Sequence, residues 1–276
     1  ECLMFATRAY FSLSEITDPT KHRDHNEWHQ LDHRPENLLL PGVAWGDRWV
    51  RSPDCAALSS GSAATYMNAH YGIMYWFREP LGETFDDWFH LTYRSFQWGR
   101  SPQIGWTRRP MRGLFAPIKG YVAPRVRVSV DALPYRPVKA VHVTLSSFDY
   151  EHPDAGTILR WYDEVRLPDL LRCRGVAGGY VLAAESAFRP PWEEKSAEWA
   201  FPDTATRAGS PSPDRMTILY LDEEPDVFCS DLSERDRAAG GNGRLIDSSA
   251  VEDVLFSSPF RRVIPWQWDW FDERKD

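Results

Sequence analysis

Cysteine is scarce in this 276-residue chain, and Cys2, Cys55, Cys173 and Cys229 lie far apart with no Cys-x-x-Cys pair. That spacing offers no zinc knuckle, and a chain of this length does not depend on a disulfide framework, so a reducing cytoplasm is the expected setting. Positive charge is in deficit: 32 Lys and Arg against 40 Asp and Glu leave a net charge of −8. A general nucleic-acid binder needs the opposite, a positive field that displaces counterions. Long apolar runs are lacking. The richest stretch, residues 38–43, is cut by Pro41 and Gly42, far short of the roughly 18–20 residues that span a bilayer. A secretory signal is missing too, in a sequence that opens at Glu1 and leaves an upstream segment open. Gly178-Gly179 and Gly240-Gly241 lack the spacing of a phosphate loop, and there is no Gly-x-Ser-x-Gly elbow, which excludes an α/β-hydrolase.

What the chain has in excess is aromatic: 13 Trp, 14 Phe and 11 Tyr. Such an excess makes either the wall of a site that grips something flat and apolar or a Trp-rich core. The chain also repeats itself. Trp28, Pro35, Leu38, Gly42, Val43, Ala44 and Gly46 recur as Trp161, Pro168, Leu171, Gly175, Val176, Ala177 and Gly179, at a constant offset of 133 residues.

Each copy reads as strand, helix, strand. Residues 3–11 and 140–145 are short β-prone runs ahead of the two helices. Asp24 with Glu27 has capping-box spacing, Thr157 stands at the equivalent place, and Gly42 and Gly175 are natural stops. Residues 71–77 then predict a strand, 84–96 an amphipathic helix, and 114–122 or 126–130 a last strand. The second copy offers 217–221, 227–239 and 260–268 for the same elements. Residues 52–64, 188–213 and 238–243 read as irregular loops. The order βαββαβ, twice, is the split-βαβ or ferredoxin-like plan, an α+β chain of two halves, 1–138 and 139–276.

The residues of the first copy, Trp28, His33-Arg34-Pro35, Leu38 to Leu40 and Pro41-Gly42, resemble the dimeric α/β barrel superfamily and in particular its EthD-like proteins. Those carry a helix with an aromatic start, a His-x-Pro, an apolar turn and Pro-Gly before a strand. The second copy departs from the pattern, with Arg166 in place of the histidine. The resemblance implies that the two halves pair their sheets into one intramolecular α/β barrel with a pocket between sheet and helices. It implies no single activity, because the superfamily holds cofactor-free isomerases, polyketide cyclases and monooxygenases as well as haem enzymes.

The repeat also serves as an internal control. Ile158, Trp161, Tyr162 and Val165 lie at i, i+3, i+4 and i+7, one apolar helix face, and the offset maps them onto His25, Trp28, His29 and Asp32. The first helix thus sets two imidazoles and a carboxylate where its twin has packing residues. Burying such groups without partners costs on the order of 1–3 kcal/mol each. His33 sits about 40° round from His29 on a regular helix, so His25, His29 and His33 form a stripe. The functional reading is a pocket wall that moves protons near neutral pH, with Asp32 fixing a tautomer or raising a histidine pKa. The structural alternative is a solvated helix end. Metal bound by two histidines of the His25, His29 and His33 stripe at i, i+4, with Asp32 as third ligand, is a further reading, and haem is implied by the superfamily alone.

Trp28, Tyr162, Arg166, His142, Tyr75, Trp76 and Trp268 are the candidates for substrate contact. Strand neighbours alternate, so either Trp76 or Tyr75 with Phe77 looks into the pocket. The same alternation across 266–270 puts three indoles on one side, as a pocket lid or a subunit interface. The expected function is a cofactor-independent lyase, isomerase or cyclase, binding neither cofactor nor metal. It would use proton transfer by His33 and His29 on a small aromatic or polyketide-like molecule, as in aromatic compound catabolism. The alternatives are a non-catalytic binding protein for an apolar ligand, or a metal- or haem-dependent oxygenase or dehydratase on the same fold. Sheet edges and the aromatic tail leave room for a homodimer; nucleic acid and membrane are not expected partners.

Overall fold

The computed structural model describes residues 5–101, 105–185, 211–241 and 243–272. The first half runs β1 (Arg8–Ile16), α1 (His22–Trp28), a π turn (His29–His33), α2 (Arg34–Leu38), β2 (Val43–Val50), α3 (Pro53–Ala57), β3 (Tyr71–Phe77), α4 (Leu81–Gln97) and β4 (Thr107–Val122). The second runs β5 (Ala140–Phe148), α5 (Ala155–Trp161), a π turn (Tyr162–Arg166), α6 (Leu167–Leu171), β6 (Val176–Ala184), β7 (Arg215–Leu221), α7 (Pro225–Gly241) and β8 (Glu252–Arg262). The strands close into one antiparallel barrel in the order β1-β3-β2-β8-β5-β7-β6-β4. Read as β4-β1-β3-β2 followed by β8-β5-β7-β6, each half has the ferredoxin-like order. The chain is therefore an α+β barrel closed within itself.

Strand alternation divides the side chains between two layers. Phe11, Trp49, Trp76, Phe115, Tyr180, Phe256 and Phe260 fill the inside of the barrel, which is a packed core. On the outer face Tyr10, Ile73, Tyr75 and Leu114 meet Trp88 and Phe89 of α4 in the first half, and Leu219 and Leu221 meet Leu167, Leu170 and Phe228 in the second.

Proline shapes the repeated helix. Pro35 and Pro168 have no N–H to give the carbonyls of Leu31 and Glu164, and their rings crowd those carbonyls. In each copy the preceding turn opens: Arg34 N–H reaches the His29 carbonyl and Leu167 N–H the Tyr162 carbonyl, both i→i+5 bonds. Each helix is then tied at its tryptophan, Trp28 Nε1 donating to the Arg100 carbonyl and Trp161 Nε1 to the Arg244 carbonyl, both at 2.8 Å.

The two seams between halves are unequal. β4 and β6 pair from Phe115–Ala184 to Val122–Gly178, whereas β2 and β8 pair at Trp49–Arg262 and Val50–Arg261. Side chains cap the β2 edge beyond that point: Arg34 Nε donates to the Gly46 carbonyl and the Tyr135 hydroxyl to the Ala44 carbonyl, each at 2.9 Å.

Several element boundaries differ from the sequence expectation. Asp18 caps a short 3₁₀ turn, accepting from Thr20 N–H at 3.0 Å, so the first helix is entered earlier and Asp24 lies inside it, paired with Lys21 at 2.7 Å. Asp24 and Glu27 are therefore no capping box, and in the second copy Asp154, not Thr157, precedes the helix. β1 continues to Ile16 because β3 and β4 pair with both its edges. Residues 126–130 form no strand. β8 starts earlier than the expected 260–268 strand and shares only its first three residues, ending at Arg262; past Val263 the chain turns, since Pro265 has no N–H to pair and Trp266 takes a left-handed φ of 71°. Residues 52–64 hold α3 and a bridge from Ser60 to Ser257, and 238–241 extend α7. Most of the expected 188–213 loop lies outside the described residues.

Candidate functional site

The π turn sets the phase of the histidine stripe. A wider turn brings residues four apart closer to alignment, so His29 and His33 share the face turned to the sheet while Asp32 swings outward. Ring centroids of His25 and His29 lie 5.9 Å apart, and those of His29 and His33 5.0 Å. From β3, Tyr71 approaches His25 at 4.9 Å and Tyr75 approaches His33 at 6.5 Å. From β2, the Arg48 guanidinium lies 4.8 Å from the centroid of the Tyr71 ring. Trp28 stacks on His33 at 4.7 Å. His25, His29, Arg48, Tyr71 and Tyr75 are buried and His33 is half-buried.

Few polar atoms in this layer find a partner. Among the described residues, both ring nitrogens of His25, Nδ1 of His29, the Tyr75 hydroxyl and all three guanidinium nitrogens of Arg48 make no hydrogen bond. Burial, reinforced by nearby cations, holds the imidazoles neutral: His33 is pushed down to about 3, and His25 and His29 well below the ordinary 6.5. Burial also lowers Arg48, to about 10, which leaves it charged near neutral pH.

Toward the C-terminal tail the layer is better satisfied. The Tyr71 hydroxyl accepts from Asn26 Nδ2 at 2.9 Å and lies 3.0 Å from His22 Nδ1, to which it can donate. His70 Nδ1 accepts from Ile16 N–H at 3.0 Å. Phe271 stacks on His22 at 4.0 Å, and Trp268 packs with it around Ile16, Val50, Tyr71 and Val263. Trp266 is exposed, and the three indoles touch in succession, Trp266 to Trp268 at 6.3 Å and Trp268 to Trp270 at 6.4 Å.

The structure thus brings together His25, His29, His33, Trp28 and Tyr75, with Trp268 at the tail end. It does not bring in the others. Asp32 pairs with Arg100, which also holds Glu36 at 3.0 Å; turned out by the π turn, it neither fixes a histidine tautomer nor stands as a third metal ligand. Trp76 faces the barrel interior against Phe5 and Tyr180, at 4.9 and 5.1 Å, and is core. His142, Tyr162 and Arg166 belong to the layer of the other half. There His142 packs on Phe228 at 5.2 Å, Tyr162 donates to Glu252, and Arg166 is engaged by Asp236. A cavity of about 180 Å³ opens in that half beside Trp161, Arg166 and Asp236.

Sequence reasoning passed over Arg48, Tyr71, His22 and His70. The signal for Arg48 was present: the 133-residue offset carries it onto Val181, which is buried and apolar. A haem in the first layer would need a free imidazole nitrogen and a slot for a flat macrocycle. His25 and His29 supply the nitrogen. The ring contacts of Trp28 with His33 at 4.7 Å, and of Tyr71 and Trp106 with His25 at 4.9 and 5.8 Å, leave no slot of a macrocycle's width between helix and sheet, so the residues as packed do not fit the group.

No family model and no curated protein matches the chain. Solved structures do. A protein provisionally assigned as a DyP-type peroxidase from Shewanella oneidensis aligns with a TM-score of 0.54 at 8% identity, covering 98% of this chain and 96% of its own. One provisionally assigned as a chlorite dismutase aligns at 0.51 and 9% identity, over 97% and 98%. A provisional monooxygenase from Fusobacterium nucleatum subsp. nucleatum aligns at 0.50 and 7% identity, over 95% and 94%. At such identities the likeness is one of fold, across nearly the whole of each chain.

Proposed function

We propose that this protein is an enzyme that moves a proton on a small aromatic or polyketide-like substrate in the helix–sheet layer of its first half, without a cofactor. The observation that carries this reading is the row of three neutral imidazoles, two of them with ring nitrogens that no described residue satisfies. A neutral imidazole is the form that accepts a proton. Beside Arg48, protonating His29 is costly until the substrate itself becomes negative in the same layer. Loss of the substrate proton and its uptake by the base are thereby coupled. In this scheme His29 takes the proton, His33 is oriented by Trp28, and the Tyr75 hydroxyl donates to the substrate oxygen. Isomerisation, cyclisation or elimination then follows from the anion.

The test is turnover, or C–H/C–D exchange by NMR, on a panel of hydroxyaromatic and polyketide-like compounds. His29→Ala and His33→Ala should each lower the rate by about 10²- to 10⁴-fold with circular dichroism unchanged. Full activity in both single variants and in the double variant would overturn the assignment.

Oxidation is the second reading, favoured by what the solved structures of like fold are assigned to be, a peroxidase, a chlorite dismutase and a monooxygenase. Oxygen uptake matched to substrate consumption would move the assignment there. A Soret band in the purified protein would exclude the cofactor-independent form of either reading.

A further inference from the structure

Arg48 has a conflict that the rest of the first layer does not resolve. Its side chain is fully buried, and Nε and both terminal nitrogens have no partner among the described residues. The adjacent carboxylate acts on this charge only through space: Asp47 accepts from the Arg48 backbone N–H at 2.9 Å and lies 3.9 Å from Arg34, with no hydrogen bond to the Arg48 guanidinium. Tyr71 offers only the face of its ring. A buried cation without an anion is among the costliest features a core can hold.

The second half sets a carboxylate in the corresponding layer, although Arg215 Nη1 there is itself without a partner among the described residues. There Arg215 lies 4.4 Å from the centroid of the Tyr162 ring, and Tyr162 donates to the carboxylate of Glu252. Glu252 pairs with Phe148 at the end of β5, and the residue in that register in the first half, paired with Ile16 at the end of β1, is Thr107. Its hydroxyl is buried and also without a partner. At this register position the second half has a carboxylate and the first half, with its buried guanidinium, has a hydroxyl.

We propose that Arg48 anchors an anion site, binding the charged oxygen of a planar organic oxyanion, a phenolate or enolate, between β2 and the His25–His29 face. The aromatic walls, Tyr71, Tyr75 and Trp106, select a flat molecule; the guanidinium selects its ionised form, and the free nitrogens of His25 give the same oxygen a second donor. This deepens the functional reading above by naming the substrate's charged group, yet binding is measured without turnover.

The probe is 4-nitrophenol, whose anion is yellow, compared with 4-nitroanisole, which has the same ring and cannot ionise. Binding is followed by tryptophan fluorescence and visible absorbance. The wild-type protein should bind the anion at least about tenfold more tightly than the anisole, as a charge-assisted hydrogen bond implies. Arg48→Met should lose about 10- to 100-fold in anion affinity, keep its affinity for the anisole, and raise the Tm of the ligand-free protein by removing an uncompensated buried charge. Arg48→Lys should retain part of the preference. Equal binding of both probes by the wild type, or no binding of either, overturns the site, as does wild-type anion affinity in Arg48→Met. Should Arg48→Met fail to fold, the wild-type preference and Arg48→Lys decide. Inactive histidine variants with intact anion binding are the expected result; active ones alongside a lost anion site in Arg48→Met would separate failure of the catalytic reading from failure of this one.

Discussion

At the scale of the residue, the buried imidazoles link the site to stability. Burial pushes His22, His70 and His142 down to about 4 and His33 to about 3, from an ordinary value of 6.5. Between those values and 6.5 the unfolded chain binds protons that the native chain refuses. This part of the stability is complete above pH 6.5 and is lost as pH falls through 6.5 toward 4. Scanning fluorimetry should find a Tm lower at pH 5 than at pH 7.5 by on the order of 10 °C. His142→Gln, in the other half, should make that slope shallower. A Tm independent of pH over this range would contradict the burial of these rings as neutral groups.

At the scale of the element, the π turn decides which side chains share a face. The sequence marks its cause, Pro35 and Pro168, but a 3.6-residue period carried through the turn leaves Asp32 on the inner face and His33 at its edge. The i→i+5 bond reverses that, setting His33 beneath Trp28 and giving Asp32 to Arg100. Pro35→Ala should restore a regular helix, with no loss of Tm because alanine is about 3 kcal/mol more favourable in a helix interior. The rotated histidine should still lower turnover by at least about tenfold. Pro168→Ala should leave turnover unchanged. Equal effects of the two substitutions would show that phase is not what matters.

At the scale of the whole molecule, the barrel is closed by one long seam and one short one. The β2–β8 edge depends on side-chain caps from Arg34 and Tyr135, and the site layer lies against β2 on that side. Hydrogen exchange should therefore be faster in peptides covering 43–50 and 261–268 than in those covering 115–122 and 178–184. Arg34→Ala should widen the difference. Uniform protection around the barrel would mean that the short seam is as firm as the long one.

The sequence by itself determined the periodicities. Its 133-residue offset, the alternating strands and the paired prolines specify two ferredoxin-like halves, because repeat, strand period and helix disruption are local properties of the chain. The same offset singled out His25 and His29 by contrast with Ile158 and Tyr162. Only the tertiary structure decided which layer each aromatic and each charge enters. It placed Trp76 in the barrel and Tyr75 under the helix, gave Arg166 to Asp236, and left the Arg48 guanidinium without a hydrogen-bond partner among the described residues. Those outcomes depend on which strands meet across the barrel and on the phase of a helix bent by proline, and neither is contained in a residue's immediate neighbours.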